Sequence, residues 1–275
     1  MKGIMNLISI KDLSATGIEE IWKLVAQDGP IISGKVAWSF EGNGIRTRTT
    51  FIQAFQELGL CYTELPNLLK SNERTVDLAG YLDDFYDIYV IRERQHDRLA
   101  QFAKDSRRPV INALSSHGHP CEVLTDAYYV NQYIAPIRQA RICLWGPPSN
   151  VMVSWHELAS VMACEITHIC ESAFHEDKAG VKYTSSINSA FDIVITDGWP
   201  AQYENPDWSL TIAHLEKMGK PKLLPTPPFS IGQEIAFDPT GYAGFCGYRQ
   251  KNLLLPVQKA ILRYLLGSAQ VLPDR

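Results

Sequence analysis

The segment Phe40-Glu41-Gly42-Asn43-Gly44-Ile45-Arg46-Thr47-Arg48-Thr49-Thr50 has the residue types of an anion site. It follows an apolar run, 35–40, that reads as a buried strand, and it precedes a helix-like stretch, 51–58. A glycine-containing turn between strand and helix aims backbone N–H groups and the positive end of the helix dipole at one place. Arg46 and Arg48 add charge there, and Thr47 adds a hydroxyl. A second polar cluster, His119-Pro120-Cys121-Glu122-Val123-Leu124-Thr125-Asp126, lies further along the chain. Alone, Arg46 and Thr47 read equally well as a surface arginine and a helix N-cap threonine, and His119 as a capping or core histidine.

Other motifs carry less. Gly29-Pro-Ile-Ile-Ser-Gly34-Lys35 has the Walker A spacing, but Val36 replaces the Ser/Thr that would hold magnesium, and the motif precedes a strand instead of following one. Gly42 and Gly44 make two-thirds of a dinucleotide fingerprint in a strand-to-helix context, with the third glycine missing. His117-Gly118-His119 has no third metal ligand at sensible spacing. Trp155-His156-Glu157-Leu158-Ala159-Ser160 lacks the second histidine of a zincin, and Cys164, Glu165, His168 and Cys170 read as one helical stretch with only a Cys164/His168 pair on one face.

The elements that must position these residues follow from the hydrophobic pattern. Apolar runs of strand length recur at 36–40, 88–91, 110–111, 142–145 and 193–196, separated by helical patterns at 19–27, 50–58, 76–86, 122–133 and 155–170. Strands alternating with helices predict α/β architecture, parallel sheets covered by helices on both faces. Such strands are nearly continuously hydrophobic, as these are. A break at Ala135-Pro136 places a domain boundary, giving 1–135 and 136–252, with a helical segment at 253–275.

Composition narrows the classes. The 275 residues, 45% hydrophobic and 20% charged, suffice for a large core. A net charge of −4 and a pI near 6.0 leave no nucleic-acid footprint. No apolar run approaches bilayer length, so no membrane partner is expected. Six cysteines without a CxxC pair read as reduced thiols of a cytoplasmic protein.

Taken in order, the motifs resemble those of the aspartate/ornithine carbamoyltransferase family. Besides the two clusters above, the resemblance rests on Leu7-Ile8-Ser9-Ile10-Lys11-Asp12-Leu13-Ser14 and the spacing from Asp77 to Asp87. It continues through Ile91-Arg92, Gly146 with Ser149-Asn150-Val151 and Ser154-Trp155, Asp192 through Trp199, Leu224-Pro225 and Gln258-Lys259-Ala260. It implies two doubly wound parallel-sheet domains, the first binding a carbamoyl-phosphate-type donor and the second an amine acceptor, with the C-terminal helix returning to the first. Arg46 would grip phosphate, while Thr47, Arg92 and His119 would surround the carbonyl oxygen, where attack by an amine creates an oxyanion. Gly44, Ile45 and Glu122 would complete the donor site, with Leu224 and Pro225 offering carbonyls. Asn150 and Asp197 would serve the acceptor. The resemblance implies small-molecule substrates, no metal or organic cofactor, and a homotrimer in which a neighbouring loop around Lys70–Arg74 reaches the donor.

The chain also departs from the family pattern. Gly44 and Ile45 stand where the family has Ser-Thr, so restoring the hydroxyls is expected to strengthen anion binding. Glu122 replaces a glutamine, Leu223 a cysteine, Val153 an asparagine, Ala201-Gln202 a Ser-Met pair and Leu254 an arginine. Arg48 is expected to pair with a carboxylate. These replacements predict a non-standard amine acceptor. Two further readings stay open: a catalytically weakened paralogue that binds a ligand or partner, and a nucleotide-binding α/β protein using the Gly42–Gly44 turn.

Overall fold

The computed structural model describes residues 5–27, 29 and 31–269, and its chain divides into two compact units. One unit takes the described residues up to Leu124 and those from Leu253 on; the other runs from Thr125 to Asn252. The division falls inside a continuous helix, Pro120–Tyr133, eleven positions before the boundary read at 135 from the break at Ala135-Pro136. No local composition marks a division of that kind.

The first unit contains α1 (Ala15–Val25), β1 (Lys35–Phe40), α2 (Ile45–Leu58), β2 (Cys61–Glu64), α3 (Thr75–Leu82), β3 (Ile88–Arg92), α4 (His96–Asp105), β4 (Val110–Leu114) and the start of α5 (Pro120–Tyr133). All strand pairings are parallel, in the order β2-β1-β3-β4. The central strands are buried almost throughout, which explains their unbroken hydrophobic runs. Helix α2 starts at Ile45, several residues before the apolar run that marks it in the sequence, because Arg46 to Thr50 form its polar first turns. It ends at Gly59, whose φ of 76° closes the helix in the left-handed conformation. The last helix, which closes the described chain, packs on α1 and α2.

The second unit holds β5 (Ile142–Trp145), α6 (Asn150–Met162), β6 (Ile166–Ile169), β7 (Val181–Thr184), β8 (Ile193–Thr196), α7 (Ile212–Lys217), β9 (Lys222–Pro225) and α8 (Gly247–Lys251), and α9 (Leu254–Ala269) follows in the first unit. Its five parallel strands lie in the order β7-β6-β5-β8-β9. The two parallel sheets and the returning α9 are the fold class read from the sequence. The predicted helix over 155–170 is corrected: α6 stops at Met162, with Ala163 in the left-handed conformation (φ 51°), and 166–169 is a strand. The connections β6–β7 and β7–β8 carry no α-helix, so helices do not cover every crossover in this sheet.

Candidate active site

Each sheet reverses its strand order once, the first between β1 and β3 and the second between β5 and β8. The crevice outside the carboxyl ends of the strands at such a point is where ligands bind in open α/β sheets. Arg46 and Thr47 follow β1 and Arg92 ends β3 at the first, and Asn150 and Asp197 follow β5 and β8 at the second; His119 and Glu122 follow β4, and Leu224 and Pro225 end β9.

In the first unit Phe40, Arg92 and Leu114 are aligned across β1, β3 and β4, so three loops leave the sheet at one level. From β1 the chain runs through Glu41–Gly44 into α2, whose N-cap, Gly44, provides no side-chain cap. A Cβ on Gly44 would run into the Arg92 guanidinium and the Phe40 ring, so glycine is what allows Arg92 to lie against the start of α2. The Arg92 guanidinium stacks 5.0 Å from the Phe40 centroid. Burial, reinforced by the Arg94 charge, pushes its pKa below the usual arginine value, with Glu41 opposing. A desolvated cation of this kind gains strongly from an anionic ligand.

Thr47 is buried on α2 and Arg46 is exposed, its guanidinium without a partner among the described residues; Ile45 is exposed. Arg48 is occupied elsewhere: it bonds Glu64 at 2.6 Å and lies 4.8 Å from the Phe40 centroid, as its predicted carboxylate pairing requires. A hydroxyl-bearing side chain at position 44, expected to strengthen the site, would meet the Arg92 guanidinium and the Phe40 ring, so those groups must shift to admit it.

His119 precedes α5 and Glu122 lies in its first turn; both are buried, with His119 Nε2 4.0 Å from Glu122 Oε2. The approach to His119 is held by a small network. Ser115 N donates to Gly118 O at 2.9 Å, Asn112 Nδ2 donates to Ser115 Oγ at 3.1 Å, and Ser115 Oγ lies 2.8 Å from His96 Nδ1. Lys70 is bound within its own chain, 2.5 Å from Glu93 and 3.2 Å from Glu41, and Arg74 pairs with Asp77 at 2.7 Å. Glu41 also accepts from Arg94 N, and that bond leads in holding its carboxyl below the usual range.

In the second unit Trp145, Thr196 and Pro225 are aligned across β5, β8 and β9. Beyond β5, Gly146 turns out of the sheet at φ 106°, and Ser149 caps α6 by accepting from Met152 N at 3.3 Å, which makes Asn150 the first helical residue. Asp197 follows β8; Leu224 and Pro225 end β9 and are buried. Leu223 packs in the core with Cys143 and Val194, so its side chain is not at the strand-end crevice. Ala201 and Gln202 are exposed and Val153 is half-buried.

Two residues of this unit escaped the sequence reading as a pair. His156 on α6 and His168 on β6 are buried, with His156 Nε2 3.0 Å from His168 Nδ1 and His168 Nε2 2.8 Å from Gly146 O. Nothing local in the sequence links a helix residue to a strand residue twelve positions on. The suggested Cys164/His168 face dissolves because His168 lies on a strand, and no cluster among the described residues could hold a metal ion.

Residues 5–132 match the family described as aspartate/ornithine carbamoyltransferase, carbamoyl-P binding domain. The chain is 27% identical over 281 residues to the ornithine carbamoyltransferase of Methylobacillus flagellatus, covering 92% of each chain. With that of Methanopyrus kandleri it shares 25% over 304 residues, covering 95% of this chain and 97% of the other. Among solved structures, ornithine carbamoyltransferase from Burkholderia thailandensis has a TM-score of 0.85 at 23% identity, covering 96% of this chain and 99% of that one. The Pyrococcus furiosus protein of the same name reaches 0.84 at 18%, covering 96% and 98%. The parallel sheets and these likenesses along nearly the whole chain are those of the aspartate/ornithine carbamoyltransferase family.

Proposed function

We propose that the chain transfers the carbamoyl group of carbamoyl phosphate to the terminal amine of a small amino acid of the ornithine class. The observation that carries the reading is the arrangement at the β1/β3 crevice, where Arg92 lies against the uncapped start of α2 beside buried Thr47. Phosphate sits at the first-turn amides of α2 with Arg46. The carbonyl oxygen takes hydrogen bonds from Thr47, Arg92 and His119, and Glu122 accepts from the carbamoyl NH₂. A neutral amine attacks the carbonyl carbon, the new C–N bond forms, and the oxygen becomes an oxyanion held by these donors. Collapse breaks the C–O bond to phosphate, which leaves carrying the proton lost by the nitrogen. Asn150 and Asp197 hold the acceptor.

The relatives are named for ornithine, and none of those names supports the non-standard acceptor expected from Val153, Ala201, Gln202 and Leu223. The core position of Leu223 also weakens that expectation, because its side chain is not at the crevice. Incubation with carbamoyl phosphate and ornithine should yield citrulline, and Arg46→Ala should reduce kcat/KM at least tenfold. A wild type that binds carbamoyl phosphate yet forms no citrulline returns the acceptor to the non-standard class; one that binds no phosphate-bearing donor overturns the reading.

A further inference from the structure

We propose that His168 and His156 are positioning residues of the acceptor site, acting as a two-histidine relay that holds the Gly146 carbonyl and through it the β5–α6 turn carrying Asn150. The inference rests on the functional reading above, since Asn150 and Asp197 take part in it as acceptor residues.

The need for a side-chain donor arises from the backbone. Gly146 N still donates to Ile169 O at 3.0 Å, continuing the β5–β6 ladder. At φ 106° the chain then leaves the sheet, a conformation that favours glycine. Buried carbonyls require a donor, and His168 Nε2, 2.8 Å away on the neighbouring strand, fills that role for Gly146 O.

The donor's identity fixes the rest. A carbonyl only accepts, so His168 carries its proton on Nε2, and its Nδ1 is left as an acceptor. His156 Nε2, 3.0 Å from that Nδ1, must donate. His156 thereby selects the one neutral tautomer of His168 that can serve Gly146. Burial keeps both rings neutral, lowering His156 to about 3 and His168 to about 4.

Gly146 is also where the two acceptor loops meet. On one side it leads through Pro147-Pro148 to Ser149, the cap of α6, and Asn150. On the other, the Trp199 indole nitrogen lies 3.6 Å from where a Cβ on Gly146 would stand, two residues past Asp197. A carbonyl free to rotate would release the turn on one side and its packing against Trp199 on the other. A purely structural role in the core predicts different measurements from a positioning role.

Kinetics with carbamoyl phosphate and ornithine, and phosphate titration as the donor-side control, separate them. His168→Leu should raise the ornithine KM at least tenfold and leave phosphate affinity within twofold of wild type. His168→Gln, whose amide nitrogen can reach the same carbonyl, should recover most of that loss. Long-range ¹H–¹⁵N spectra of the wild type should show both rings as Nε2–H tautomers, with the His168 Nε2 proton shifting when ornithine is added. If His168→Leu does not fold, His156→Leu keeps the Gly146 bond but removes tautomer selection, and should raise the ornithine KM about two- to fivefold. An active wild type with the ornithine KM unmoved in the folded variants, or with His168 protonated on Nδ1, overturns the relay alone. A wild type that binds carbamoyl phosphate but does not turn over ornithine removes the ornithine-class acceptor, and the relay as an ornithine-positioning device with it; one that binds no phosphate-bearing donor overturns the functional reading as a whole.

Discussion

At the residue scale the decisive contact is between a glycine and an arginine. Gly44 has no side chain, and Arg92 occupies the space one would need. Gly44→Ser should therefore weaken phosphate binding, reversing what the lost hydroxyl alone suggests, because overpacking here costs about 1–3 kcal/mol or moves Arg92. Calorimetric titration of phosphate into the variant measures this directly, and tighter binding would show that Arg92 adjusts freely. Arg46 differs in being exposed and unpartnered among the described residues. Its removal should cost a charge-assisted bond of roughly 1.5–3 kcal/mol, at least tenfold in anion affinity, with little change in thermal stability. Phosphate titration and a melting curve of Arg46→Ala check both halves. The position of Arg46 after the strand was legible from its neighbours, whereas the collision at residue 44 was not, since Arg92 lies forty-eight positions further on.

At the scale of elements, the α6–β6 contact makes the fold sensitive to acid. His156 and His168 are neutral when folded, near pKa 3 and 4, and titrate near 6.5 when exposed by unfolding. The folded values are depressed, so their contribution is fully present above pH 6.5 and is lost as the pH falls toward 4 and then 3. Each histidine contributes a slope of about 1.4 kcal/mol per pH unit within that window. Lys178 pushes both rings the same way, His175 adds to this at His168, and Glu176 opposes it there; Tyr183 stacks 5.3 Å from His168. Urea unfolding from pH 7 to 4.5 should show stability falling with acid, and His156→Met should remove one proton from the slope. An unchanged slope would show that His156 is not neutral in the fold. The Arg48–Glu64 pair at the edge of the first sheet is different in kind: both side chains are partly exposed, so Glu64→Gln should change stability by less than about 1 kcal/mol in chemical denaturation.

For the whole molecule, the family resemblance carries the expectation of a homotrimer. Sedimentation equilibrium at micromolar concentration should return three times the 30.9 kDa chain mass, and a stable monomer would remove any shared site. Lys70, in the loop around Lys70–Arg74 expected to reach a neighbour's donor, is held by Glu93 and Glu41 of its own chain. Lys70→Ala should consequently lower stability, by freeing a buried Glu93 carboxylate, as well as activity; melting temperature and kcat/KM measured together test this. All six cysteines are free thiols, and no described helix is long and apolar enough to cross a membrane. A cytoplasmic location remains an expectation from the cysteine pattern.

The sequence by itself determined the features that are local. Apolar runs the length of strands, a glycine turn before Arg46 and Thr47, and His119-Pro120 before a helix are written within a few residues, because strand burial and helix entry are short-range requirements. The α/β alternation followed from them. Short strands escaped: 166–169 continued the periodicity of α6 and was read as helix, although Ala163 turns the chain out of it, and 61–64, 181–184 and 222–225 were not read as strands. Only the tertiary structure decided what crosses between elements. Strand register brought Phe40, Arg92 and Leu114 to one edge and set Arg92 against Gly44. The same kind of register laid His168 beside Gly146 and under His156. Such contacts depend on which strands pair and on which face a helix packs, and the burial that selects both is a property of the assembled sheet.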